Sequence, residues 1–414
     1  MGTNEHKIID LDVTAMADGG QAMGRHQEQV IFVAGALPGE RVRVRIEQGH
    51  KRWAQATLLD VLHPSSRRVE PPCPYFGRCG GCHFQHVDYV AQLEYKRQIV
   101  IEQLRRIGHI DEPPVEPTWG MQEPWFYRNH VQFSVTEDGQ LGFQSAQSHQ
   151  VVPIEQCLLL HPLLDELHAA LSLAWPELTR LSLRAGIYTG EQMCILESRD
   201  DLAPELEVDI PLSCLLRRRD GTDVVLIGRD AYREKLHGRT FRISSSSFFQ
   251  VNTLQAERLI EVVTQYLQPA PQDTLLDVYC GVGTLSLSMA GLVGRIIGIE
   301  AHPTAIYDAR CNVQAGEAAT FFEGDAAQLV SGLAERIDKV VVDPPRKGCT
   351  AEVLAGIAQL ASERIVYVSC DPTTLARDAA RLVEAGWVLV QAQPIDMFPQ
   401  TFHIETVTLW QRAK

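Results

Sequence analysis

A cysteine and two carboxylates in the last third of the chain adjoin short apolar runs, where side chains reach the rim of a sheet. Asp343 follows the run at 339–342 and opens Asp343-Pro344-Pro345-Arg346. The two prolines deny the backbone both helix and ladder, so the turn is rigid and aims Asp343 into the cleft beyond the strand. Cys370 follows the run at 364–369, in Ser369-Cys370-Asp371-Pro372, and His403-Ile404-Glu405 comes just before the final run at 406–410. An isolated free cysteine is most often inert packing. At a strand end facing a cleft, with a carboxylate at hand, it is placed as a nucleophile. These groups suit methylation at C5 of a pyrimidine, a carbon too weakly nucleophilic to react unaided. Thiolate addition at C6 turns the ring into an enolate whose C5 accepts a methyl group. A base then takes the C5 proton, and the thiol is expelled. Cys370 is read as the nucleophile and Glu405 as the base.

A cofactor loop lies upstream. In Leu275-Leu276-Asp277-Val278-Tyr279-Cys280-Gly281-Val282-Gly283-Thr284 a strand runs into a glycine turn and then a helix. Gly281, Gly283 and Thr284 therefore border the carboxyl edge of the sheet, where ligands of such folds bind. Glu300 ends the next strand, placed to accept both hydroxyls of a ribose, and Asp325 ends the third. A dinucleotide loop would show a third glycine, which is absent here. A nucleoside without phosphates fits, and S-adenosylmethionine is the common one.

A third group is a cysteine cluster. Cys73, Cys79 and Cys82 stand at C-x5-C-x2-C among glycines and prolines, with Cys157 remote. Four thiolates hold zinc or an iron-sulfur centre, and a three-plus-one spacing favours iron-sulfur over the paired knuckles of zinc sites. The other cysteines lack such company and read as packing.

The elements that must position these groups follow from patterning. The chain has 414 residues, enough for two or three domains. Short strands broken by Gly and Pro (8–13, 29–33, 41–47, 54–62) predict a small N-terminal barrel. Its strand at 41–47 alternates Arg41, Arg43 and Arg45 with β-branched residues, which predicts an arginine-lined outer face. Helical periodicity spans 89–107. From about 241 onward, seven apolar runs alternate with helices and predict a doubly wound α/β sheet. The last two runs are joined by too short a link for a crossover, so the final strand is expected to be antiparallel. Net charge is -14, which excludes a passive, coat-everything nucleic-acid binder. Yet residues 41–68 carry seven positive against two negative side chains. No run is long enough to span a membrane and no signal peptide is evident, so a cytoplasmic protein with reduced thiols is expected. No obligate protein partner is evident.

Together these residues resemble the bacterial RNA 5-methyluridine methyltransferases, in the branch with an N-terminal TRAM domain and an iron-sulfur cluster. The resemblance spans essentially the whole chain. It rests on Cys73/Cys79/Cys82/Cys157, Phe248-Phe249-Gln250-Val251-Asn252, Asp343-Pro344-Pro345-Arg346, Ser369-Cys370 and His403-Ile404-Glu405. It implies an OB-like TRAM barrel over 5–62 and a central α+β domain with the iron-sulfur loop over 63–240. A class I, Rossmann-like seven-stranded methyltransferase domain is implied over 241–414. It also implies a 4Fe-4S centre on the four cysteines and S-adenosylmethionine contacts from Gln250, Tyr279, Glu300 and Asp343, with Asp325 near the adenine. Cys370 and Glu405 keep the roles given above. Thr284 and Asp371 stand where the family usually has Asn. RNA would be held by phosphate contacts from Arg41, Arg43 and Arg45, with the target base extruded into the Cys370 pocket. The resemblance points to large-subunit (23S) ribosomal RNA. Rival readings are the same reaction on tRNA, an exocyclic-amine methyltransferase, and an RNA-binding ribosome-assembly factor that keeps the fold without the activity.

Overall fold

The computed structural model of the protein describes residues 7–413 apart from 147, 149, 172–174 and 207–208. The expected outer domain bounds, at residues 5 and 414, lie outside the described residues. Five strands, Ile8–Met16, Ala22–His26, Gln29–Val33, Arg41–Gly49 and Trp53–His63, close into the N-terminal barrel. Alternation drives Ile9, Leu11, Val13, Val42 and Val44 inward, as the period of 2 requires. Strand Ala22–His26 is absent from the sequence expectation. It carries Gly24 where a Cβ would lie 2.3 Å from the Asp12 carbonyl oxygen, so the crossing strands come too close for any side chain. The arginine stripe faces outward as patterned, but Asp10 and Asp12 of the neighbouring strand pair in register with Arg43 and Arg41. Arg43 is 2.9 Å from Asp10, and Arg45 is 2.8 Å from Glu47.

The central sheet has seven strands in the order Asp223–Ile227, Ser213–Arg217, Gln192–Ser198, Leu178–Ala185, His130–Val135, Leu141–Gln144 and Val151–Pro153. The cysteine-bearing loop leans on its edge, where the Gly80 N–H donates to the Gln144 carbonyl at 3.0 Å. Segments cross the expected boundaries between central and C-terminal domains. Helix Tyr89–Arg106 packs on helix Pro372–Glu384 of the C-terminal domain, and Val115 and Trp119 form bridges to Ala392 and Ile395.

The C-terminal sheet runs Ala319–Glu323, Arg295–Glu300, Thr274–Val278, Ile337–Val342, Ala361–Ser369, Glu405–Arg412 and Trp387–Ile395, which is order 3-2-1-4-5-7-6. Strand Glu405–Arg412 is antiparallel to both neighbours, as the short link demands. Ile337–Val342 is buried along its whole length, because helices cover both faces. The parallel strands all end on one rim, so the residues that follow them line one cleft. Among the described residues no helix is long and apolar enough to cross a membrane.

Candidate active site

Register alone brings the expected cysteine and carboxylate together. Ser369 is the partner of Thr406 in the antiparallel pair, so the next residues outward, Cys370 and Glu405, stand side by side. Cys370 is half-buried and Glu405 is buried. Asp371 caps helix Pro372–Glu384, its carboxylate accepting the Thr374 N–H at 2.8 Å, which fixes the backbone just beyond the thiol. Asp343 follows the adjacent parallel strand, and its N–H donates to the Val278 carbonyl at 3.3 Å.

The electrostatics of this rim are one-sided. Burial, with the Glu405 and Asp343 carboxylates adding to it, pushes the Cys370 thiol up to about 12, against the pull of the Arg346 guanidinium. Burial raises Glu405 well above the carboxylate range, with Asp343 adding to the effect. Burial and Asp277 together raise Asp343 to about 7, and burial raises Asp277 to about 6. The Asp277 Oδ1 atom is buried without a partner, while Oδ2 accepts the Ser286 N–H at 3.3 Å. Two carboxyls, half-buried Asp343 at the rim and buried Asp277 just behind it, thus have too little positive charge around them. A ligand that brings a cation would meet that deficit. Sequence reasoning did not single out Asp277, although an acidic residue inside Leu275-Leu276-Asp277-Val278 was a signal.

The remaining expected cofactor residues gather along the same rim. Tyr279 has φ +65°, a left-handed backbone that a bulky side chain adopts at a cost of order 1–3 kcal/mol. Gly281, at φ +54°, has nothing within 4 Å of where its Cβ would be, so the turn leaves an open cradle. The Gly281 N–H donates to Glu300 Oε2 at 3.1 Å, and the His302 N–H to Glu300 Oε1 at 2.8 Å. Gly283 and Thr284 open helix Thr284–Ser288, which is too short to present the dipole a pyrophosphate uses. Asp325 caps helix Ala326–Gly332. Gln250 comes from outside the sheet, its backbone carbonyl accepting from Asn129 Nδ2 at 2.9 Å. Its neighbours Asn252 and Gln255 donate to the Met397 and Asp396 carbonyls at 3.1 and 2.9 Å, which ties this segment to the loop before Glu405.

That loop, residues 396–404, is held from below by groups no spacing rule would find. Lys96 and Asp396 form an ion pair with both side chains fully buried, and Tyr89 Oη donates to Asp396 Oδ2 at 2.9 Å. Removing one partner of such a pair costs about 3–5 kcal/mol. The N–H groups of His83 and Phe84, next to Cys82, both donate to the Gln400 carbonyl, at 2.9 and 3.0 Å. Tyr127 Oη donates to the Pro399 carbonyl at 3.1 Å.

Cys73, Cys79, Cys82 and Cys157 are all free thiols and line one cavity of about 390 Å³. Among the described residues no three His, Cys, Asp or Glu side chains are gathered as a closed metal site. Arg128 also lines the cavity, and its Nε is buried without a hydrogen-bond partner. Burial raises the Cys79 and Cys157 thiols, and it pushes Cys82 up to about 12. An orphaned guanidinium nitrogen beside four thiols fits an anionic thiolate-bound group.

Comparison with known proteins agrees with this architecture. The family model described as tRNA (Uracil-5-)-methyltransferase matches residues 200–321 and 333–413, and the TRAM domain model matches residues 3–59. A protein of Thermosynechococcus vestitus described as an uncharacterized RNA methyltransferase is 37% identical over 97% of each chain. One of Caldanaerobacter subterraneus subsp. tengcongensis, described in the same words, is 36% identical over 97% of this chain and 98% of its own. The crystal structure of the Pyrococcus abyssi tRNA (uracil-54, C5)-methyltransferase in complex with S-adenosyl-L-homocysteine is similar with TM-score 0.77. Its identity is 26%, covering 97% of this chain and 99% of that one. With 37% identity to an RNA methyltransferase along nearly its whole length, this chain belongs to the TRAM-bearing RNA uracil-5-methyltransferases and is an S-adenosylmethionine-dependent enzyme.

Proposed function

We propose that the chain methylates C5 of a uridine through a covalent bond between Cys370 and C6, with Glu405 as proton acceptor. The register that sets Cys370 beside Glu405 carries this reading. The thiol gives its proton to solvent water, with Arg346 favouring the thiolate, and its sulfur adds to C6. The C5=C6 π pair shifts into an enolate, and C5 becomes the nucleophile. S-adenosylmethionine, when bound, would supply an electrophilic methyl group to C5 and leave as S-adenosylhomocysteine, which keeps the electron pair of the broken bond. Glu405, raised by burial, first gives its own proton to solvent, the ionised form favoured by Arg346; its carboxylate then takes the C5 proton, the C6–S bond breaks, and the electron pair returns to sulfur. Asp343 and Asp277 offer negative charge to a cationic ligand, Gly281 leaves room for it, and Glu300, Asp325, Tyr279, Gln250, Gly283 and Thr284 border the same cradle. Arg346 is the chain's own cation beside the thiol and the carboxylate.

The four cysteines would hold a 4Fe-4S centre in a reducing cytoplasm, with Arg128 as its buried counter-charge. The centre's role is to order the loop, since His83 and Phe84 brace the segment leading to Glu405. The barrel and the cysteine loop together support large-subunit ribosomal RNA as the substrate, on the resemblance drawn above. The similarity to the Pyrococcus abyssi tRNA (uracil-54, C5)-methyltransferase favours tRNA as the second reading. Arg41 is the first of the three barrel arginines to assign to phosphate, because Arg43 and Arg45 are ion-paired with Asp10 and Glu47, whereas Asp12 stands opposite Arg41 in register only.

The test is Glu405→Gln with bulk RNA and with fragments. The variant should methylate and then stall, giving a protein–RNA species that survives denaturing electrophoresis and reductant and disappears in Cys370→Ala. Full activity in Cys370→Ala, or no adduct from a folded Glu405→Gln protein that binds RNA, would overturn the mechanism.

A further inference from the structure

The barrel touches the catalytic rim through one turn, residues 17–21, between strands Ile8–Met16 and Ala22–His26. Asp18 Oδ2 accepts a hydrogen bond from Thr373 Oγ1 at 2.7 Å, and Thr373 lies three residues past Cys370. Gly20 lies against Phe402, three residues before Glu405: a Cβ on Gly20 would sit 2.7 Å from the Phe402 Cβ. Gly20 also has φ +76°, so both space and backbone require glycine there. The turn is braced internally. The Ala17 N–H donates to the Gln21 carbonyl at 2.8 Å, and the Gly19 N–H to Asp18 Oδ1 at 3.0 Å. From its other side the Phe402 ring meets the His83 ring at 4.6 Å between centroids, and it meets the His403 ring at 4.3 Å.

A single turn of the barrel therefore spans the two segments that carry the cysteine and the carboxylate. We propose that residues 17–21 are a positioning device for methyl transfer, holding the Cys370 and Glu405 segments at their working separation, in addition to whatever RNA the barrel binds. A module that served affinity alone would not need to touch the chain at these two points. Asp18 and Gly20 are positioning residues, since they act through Thr373 and Phe402. The inference rests on the Cys370 and Glu405 assignment above.

The experiment uses the full chain with Gly20→Val, Asp18→Ala and Asp18→Asn, and measures kcat, the KM for an RNA fragment and cofactor affinity. Gly20→Val pushes on the Phe402 Cβ and ring, and kcat should fall roughly 10- to 100-fold, as expected for a displacement near 1 Å. Asp18→Ala should lower kcat about fivefold, the worth of one hydrogen bond. Asp18→Asn should restore it, since the amide oxygen still accepts from Thr373. RNA KM and cofactor affinity should hold in all three. A raised RNA KM with kcat kept would overturn the proposal, as would unchanged kcat in Asp18→Ala, which adds no atoms and tests the idea even where Gly20→Val does not fold. Cys370→Ala run alongside separates the two failures. Activity there would sink the underlying mechanism, whereas an inactive Cys370→Ala beside a fully active Asp18→Ala would sink the positioning role alone.

Discussion

Cofactor binding should depend on pH in a direction the buried carboxyls dictate. In the ligand-free cleft Asp343 titrates at about 7 and Asp277 at about 6, each raised first by burial. Groups raised in this way favour the folded, ligand-free protein at low pH, and that contribution fades as pH climbs through the raised values. A cation seated beside them reverses the preference, because it binds the ionised carboxylates and releases their protons. At pH 5.5 only a few per cent of Asp343 is ionised, so S-adenosylmethionine must first displace a proton. Its affinity should be roughly 10- to 30-fold weaker at pH 5.5 than at pH 8, most of the change falling between pH 6 and 7.5. Isothermal titration calorimetry at the two pH values reads this directly, and repeating it in buffers of different ionisation enthalpy counts the released protons. Asp343→Asn should flatten most of the dependence while weakening binding at pH 8. An affinity constant across the window, with no proton release, would refute the reasoning.

Cys370 should be alkylated slowly in the ligand-free enzyme. Held at about 12 against an ordinary 9.0, it has on the order of a thousandfold less thiolate, partly offset by greater nucleophilicity, leaving iodoacetamide labelling about 30-fold slower than an ordinary thiol. Labelling at the ordinary rate would show that burial, with the two carboxylates, does not hold the thiol neutral. Cys79→Ala should lose iron and sulfide from anaerobically purified, brown protein, and stoichiometric zinc without iron in the unaltered enzyme would sink the 4Fe-4S assignment. Changing Arg41, Arg43 and Arg45 together to Ala should reduce the salt slope of duplex RNA binding by about one unit, because two of the three are already ion-paired. A loss near three units would show that RNA displaces those carboxylates.

The parallel sheet was legible because its strands are apolar on both faces, and the rim residues because they follow those runs. Burial on two sides leaves no alternation to misread. The barrel strand Ala22–His26 was not legible, since Ala-Met-Gly-Arg-His lacks β-branched alternation and owes its place to the closeness Gly24 permits. The arginine stripe was visible, but its neutralisation was not, because Asp10 meets Arg43 only through the register of two strands far apart in sequence. Cys370 and Glu405 could be named from type and position. Asp277, Arg128 and the Lys96–Asp396 pair could not, for their significance lies in what surrounds them rather than in any local pattern. The contact that crosses the boundary expected near 240 was not legible either, because helix Tyr89–Arg106 meets helix Pro372–Glu384 only through the tertiary fold.

The tie between Lys96 and Asp396 spans 300 residues, and that between Gln92 and Gln400 spans 308. During synthesis at roughly 5–20 residues per second, the helix bearing Lys96 waits on the order of 15–60 s for its partners to leave the ribosome. Throughout that interval its inner face, apolar but carrying the Lys96 amine and the Gln92 and Gln103 amides, has only nearby segments such as residues 84–87 to meet and lacks its C-terminal partners. The barrel and central sheet can form meanwhile, so the nascent chain passes through a half-built state with this helix undocked. Arrival of residues 396–400 discharges the waiting charge and draws in the loop before Glu405. The same late event therefore covers the helix and sets the loop onto which the last strand, Glu405–Arg412, must close.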